Sequence, residues 1–89
     1  MPRRERWTLY GAILQSIDEH QQAAGPDARV THVALRANVP YDRLMTYLDE
    51  LAAAGLVTRD KMPQITAEGV EFLAHYVRWK EILGRYGLG

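Results

Sequence analysis

Four stretches of the chain carry apolar residues at helical spacing. In the first, Trp7, Tyr10, Leu14 and Ile17 recur three and four apart, with Ile13 alongside, and the pattern predicts a helix from Arg6 to about Gln22. Gly25 and Pro26 follow, a left-handed cap and a residue that cannot continue a helix. Arg29 and Val30 can form a short edge strand. Thr31 suits the N-cap of a second helix, whose small apolar face is Val33, Ala34 and Ala37. Asn38 suits a left-handed turn, and Pro40 the first turn of a third helix.

The third helix is expected from Tyr41 to Ala54, with Leu44, Leu48 and Leu51 as its buried stripe. Asp42, Arg43, Thr46, Asp49, Glu50 and Ala53 fall on the opposite face. Gly55 takes the position just past the helix end. Two short strands are then expected, Leu56–Arg59 and Gln64–Thr66, around a tip of Asp60, Lys61, Met62 and Pro63. Pro63 has no N–H to donate, which assigns it to the tip or an edge. Thr66 caps the last helix, with Glu68 in its first turn.

That last helix has two stripes. Val70, Leu73 and Val77 suit the chain's own core. Phe72, Tyr76, Trp79, Leu83 and Tyr86 recur at spacings of 4, 3, 4 and 3, a seam of the kind that pairs helices. A helix of roughly 20 residues is about 30 Å long, so its far half is expected to protrude and to meet a second copy of the chain. The architecture expected is α+β, a helix-turn-helix with a β-hairpin wing and a long C-terminal helix. It is one domain, with a body over residues 1–66 and the helix over 67–89.

Composition narrows the function more than the fold. The chain has 89 residues, 47% of them hydrophobic and 25% charged, a globular balance. No cysteine is present, which excludes disulfides, thiolate nucleophiles and cysteine-ligated zinc. His20, His32 and His75 have no metal-ligand spacing, Ser16 stands in no nucleophile motif, and no glycine-rich phosphate loop occurs. The expectation is therefore a protein that is not an enzyme, with no cofactor and no metal. The N-terminus "MPRRERW" lacks the apolar core of a secretory signal, and no apolar run is long enough to span a bilayer. A cytoplasmic protein, nucleoid-associated if it binds DNA, is expected.

Eleven basic residues balance eleven acidic ones, so no excess of charge draws the chain to nucleic acid. The basic groups are clustered: Arg3, Arg4 and Arg6 at the start, Arg59 and Lys61 in the expected wing, and Arg78, Lys80 and Arg85 near the end.

In order and spacing the chain resembles a known family. The residues that carry the resemblance are Thr31, Ala37, Asn38 and Val39, then Tyr41, Leu44, Tyr47, Leu48 and Leu51. Gly55 to Val57 follow, and finally Ile65, Thr66, Glu68, Gly69, Phe72 and Leu73. The chain is similar over roughly residues 30–83 to archaeal winged helix-turn-helix proteins of about this length, a group that includes small dimeric chromatin-associated DNA-binding proteins. Pro40 stands where such proteins often have serine. The resemblance implies a homodimer through antiparallel C-terminal helices and regulatory or sequence-tolerant binding of double-stranded DNA.

A recognition helix enters the major groove with its N-terminal residues, which here are Tyr41, Asp42, Arg43 and Thr46. Arg43 can pair with guanine O6 and N7; equally, it can be a solvated residue on an exposed helix face. Arg59 and Lys61 are positioned to reach phosphates, or to blunt a hairpin edge. His32 and Arg36 on the second helix, and Arg3 and Arg4 in the arm, are further candidates for the DNA backbone. The dimer interface expected is Phe72, Tyr76, Trp79, Leu83 and Tyr86. A winged-helix module that binds other proteins and no DNA is the alternative, motivated by zero net charge and an acidic third helix.

Overall fold

The structure, a computed structural model, describes residues 5–88. Its elements are helix α1 (Arg6–Ala24), a 3-10 turn (Gly25–Asp27), and helices α2 (Val30–Ala37), α3 (Tyr41–Ala53) and α4 (Ala67–Arg85). All regular structure among the described residues is helical, which overturns the expected α+β class and its β-hairpin wing.

The backbone hydrogen bonds give the reason. The two segments that would pair meet only at one antiparallel bridge, Val57 with Ile65. On one side of it Thr66 N–H donates to the Leu56 carbonyl at 3.0 Å, but the Leu56 N–H is committed to the Leu51 carbonyl at the end of α3. On the other side Thr58 N–H donates to the Gln64 carbonyl at 2.8 Å, while the Gln64 N–H turns to the Thr58 hydroxyl at 3.0 Å. The residue before Gln64 is Pro63, which has no donor at all. Each flanking pair thus makes one of its two ladder bonds, and no strand propagates. Pro63 is buried rather than at a tip, and Met62 is half-buried against the core. A proline can be buried there without leaving an N–H unsatisfied.

The expected edge strand is also absent. Val30 is the first residue of α2, with Arg29 as its N-cap, so Thr31 lies inside the helix and does not cap it. Other turn chemistry follows the local expectations. Asn38 is left-handed at φ 56°, and Gly55 has φ 80° past the end of α3. The Thr66 hydroxyl accepts from Gly69 N–H at 3.1 Å and donates to the Gly55 carbonyl at 2.6 Å, which ties the start of α4 to the end of α3.

The core joins α1, α2 and α3, and α4 packs on it through Phe72 and Leu73. Ile13, Leu14 and Ile17 of α1, Val33 and Ala37 of α2, Leu44, Leu48 and Leu51 of α3, and Val57 form one buried cluster. Helix α4 packs along α1 over residues 72–80. Trp7 of α1 and Phe72, Tyr76 and Trp79 of α4 line one small pocket, and further along Lys80 shares a hollow with Ala12, Gln15 and Glu19. Two residues of the expected dimer seam are thereby used within the chain: Tyr76 is buried at 6% exposure and Phe72 packs on the core. The stripe expected to face the core is turned outward instead, with Val70 at 53% and Val77 at 36% exposure; its third member, Leu73, does pack on the core.

Candidate nucleic-acid interface

Helix α3 is positioned by its leucine stripe and by Pro40, whose fixed backbone leads into it with no side-chain cap. Tyr41, Asp42, Arg43 and Thr46 at its start are all exposed. Asp42 sits in the first turn, where the partial positive charge of the helix end favours a carboxylate. The Thr46 hydroxyl points back toward the Asp42 carbonyl, at 3.4 Å.

The acids further along α3 are paired. Arg59, from the α3–α4 loop, donates to Asp49 at 2.6 Å, with its guanidinium also 3.8 Å from the Met45 sulfur. Arg6, at the start of α1, donates through one nitrogen to both oxygens of Glu50, at 2.7 and 2.8 Å. Tyr10 adds a third bond to the same carboxylate, at 3.0 Å, and its ring meets Tyr47 edge-on with centroids 6.1 Å apart. The nearby Tyr10 hydroxyl and the Glu50 charge hold the Arg6 guanidinium above its ordinary value. The negative charge of α3 is therefore offset by two arginines brought in from other elements.

Two hollows flank the start of α3. One, about 530 Å³, lies between the N-terminus of α2, the start of α3 and the α3–α4 loop. It is lined by Arg29, Thr31, Tyr41, Arg59 and Lys61, together with Asp27 and Asp60. The other, about 720 Å³, is lined by Arg6, Arg43, Pro40 and Tyr47, with Glu5. Cationic side chains thus stand on both sides of the first turns of α3. Arg29, Arg43 and Lys61 have no ion-pair partner among the described residues.

The candidate residues divide accordingly. Tyr41, Arg59 and Lys61 come together in one hollow, and Arg43 faces the other. Arg36 is elsewhere, 3.7 Å from Glu19 and in the hollow that also holds Lys80. His32 is exposed on α2 but rests its ring edge-on against His20, with centroids 5.1 Å apart. Arg3 and Arg4 lie outside the described residues. The pattern of residues 29–30 suits an edge strand and so does not mark Arg29, the N-cap of α2, as a candidate. His20 has no metal-ligand spacing to single it out, but it falls three residues past Ile17 on the Ile13–Ile17 stripe, and that spacing marks it as inward-facing. The pairing of Arg6 with Glu50 spans 44 positions and leaves no local trace in the sequence.

Three consecutive helices packed this way, with a short turn between the second and third, define a helix-turn-helix domain. The winged helix-turn-helix family model matches residues 3–84, and the chain belongs to that family, a DNA-binding type of domain. No curated protein and no solved structure matches the chain. No helix of the described residues is long and apolar enough to cross a membrane.

Proposed function

We propose that this chain binds double-stranded DNA as a homodimer, serving as a transcription regulator or an architectural protein. One observation carries the reading. The first turns of α3 expose Tyr41, Asp42, Arg43 and Thr46, while the two acids behind them are each neutralised by an arginine. A helix offered to the major groove must not repel phosphates along its length, and these ion pairs remove most of that repulsion. Arg43 is the base reader in this proposal. Arg29 and Lys61 are backbone contacts. A nucleoid location follows from the same reading.

Fluorescence anisotropy with a random duplex at two salt concentrations tests it. Salt-sensitive binding that weakens in Arg43→Ala and Lys61→Ala supports the proposal. No binding at low salt would reject it.

The second reading, a protein-interaction module without DNA binding, draws on the same ion pairs. They engage Arg6 and Arg59, two arginines close to α3, in a chain of zero net charge. Co-purification with a protein partner, alongside no affinity for duplex, favours this reading over the first.

The dimer is supported by apolar surface on α4 that the chain itself leaves exposed, at Val70, Val77, Trp79 and Tyr86.

A further inference from the structure

His20 is a polar residue in an apolar position. It lies in the last turns of α1 at 5% exposure, and its Nε2 accepts the backbone N–H of Arg29 at 2.9 Å. Arg29 is the N-cap of α2, and no side chain caps that helix end. The imidazole therefore adds a hydrogen bond between α1 and the start of α2, beside the apolar packing of Val30 and Val33. We propose that His20 is a pH-sensitive latch: neutral, it holds the N-terminus of α2 against α1, and protonated, it releases it.

The chemistry is direct. To accept the Arg29 N–H, Nε2 must carry a lone pair, so the ring is neutral with its proton on Nδ1. Protonation at Nε2 would set two donors against each other and place a cation in a buried site. The surroundings oppose that cation. His32 faces the ring edge-on from α2 at 5.1 Å, and Arg36 faces it from the same helix. Glu19, the acid next to it on α1, is exposed and engaged with Arg36 at 3.7 Å. Lys80 of α4 lines the hollow shared by Arg36 and Glu19, and Asp27 is on the turn before Arg29. Burial, and then the charges of His32 and Arg36, push His20 below the ordinary histidine value of 6.5.

The sign follows. A histidine whose folded pKa is lowered adds stability that is present above its unfolded pKa and is lost as pH falls through the folded value. The latch is closed at neutral pH and opens on acidification below about 6.5. What it releases is the segment that borders the hollow holding Tyr41, Arg59 and Lys61. A link to DNA binding would rest on the function proposed above, but the latch itself does not, and its test uses no DNA.

The experiment is hydrogen exchange of the Arg29 amide by NMR between pH 7.5 and pH 5, corrected for intrinsic exchange. It is run on the wild-type chain and on His20→Gln and His32→Gln. In the wild type the Arg29 protection factor falls on acidification, approaching about tenfold per pH unit, the limit for one proton. His20→Gln retains an acceptor without a titrating group, and its protection stays flat with pH. His32→Gln keeps the fall. If His20→Gln does not fold, the wild-type His20 ring titration decides instead, because Arg29 protection must fall as the pH approaches the value at which that ring titrates. An Arg29 protection factor that stays unchanged from about pH 6.5 down to the pH at which His20 titrates, or the same pH response in His20→Gln, overturns the proposal.

Discussion

Gly11 leaves the space that the ring of Tyr76 fills. A Cβ on Gly11 would fall on the ring carbons, and Trp7, one turn earlier on α1, meets the same ring edge-on with centroids 6.1 Å apart. The contact turns the aromatic side of α4 inward and sends Val70 and Val77 outward. It predicts a sign change. Gly11→Ala should destabilise the chain by about 1–3 kcal/mol through overpacking, although alanine is the better helix former by about 1 kcal/mol. In a Tyr76→Ala background the obstacle is gone, and Gly11→Ala should become neutral or stabilising. Urea denaturation of the four chains measures both values. Additive effects would show that the two residues do not interact.

Asp49 and Glu50 restrain the arginines they pair with. Asp49→Asn should free Arg59, and Glu50→Gln should free Arg6. If the chain binds duplex DNA, each variant should bind more tightly at low salt. The slope of log affinity against log salt should steepen by roughly one for each cation released. Stability should change little in Asp49→Asn, by under about 1 kcal/mol, since that pair is exposed. Anisotropy titrations at several salt concentrations give the slopes, and unchanged slopes would mean that neither arginine reaches DNA.

Thr66 makes two hydrogen bonds with one hydroxyl, one to each side of the junction between the α3–α4 loop and α4. Thr66→Ala should cost about 1–2 kcal/mol, the usual worth of an N-cap with a further bond lost. Thr66→Ser should recover most of it. Gly69 is close behind, where a Cβ would strike the Leu56 carbonyl, so Gly69→Ala should also lower Tm. Thermal unfolding followed by circular dichroism compares the three variants.

Exposure along α4 separates assembly from folding. Val77→Glu and Trp79→Glu alter residues that are 36% and 46% exposed within one chain. Both should fold. If a second copy covers this helix, both should shift the chain from dimer to monomer in sedimentation velocity. Tyr76→Glu should instead unfold it, because that ring is inside. A wild-type chain that sediments as a monomer would remove the dimer from the proposed function.

Much of this protein is written in local chemistry. The helix spacing of Leu44, Leu48 and Leu51, the left-handed Asn38, Gly55 at the end of α3 and the Thr66 cap depend on residues within a turn or two of each other. Each is legible from the chain alone, and together they suffice for a helix-turn-helix. Three features depend on which partner a group meets when the elements pack, and these only the tertiary structure decided. Periodicity shows that Phe72, Tyr76 and Leu83 share a face, but not that Gly11 offers the groove to receive it. The composition of residues 56–66 suits a hairpin, but Leu56 N–H is claimed by α3, Gln64 N–H by a hydroxyl, and Pro63 by the core. The charges of α3 read as acidic in isolation, yet Arg6 and Arg59 arrive from other elements to cancel two of them. Local propensity acts over a few bonds; which neighbour covers a face, or neutralises a charge, is set only when the chain closes on itself.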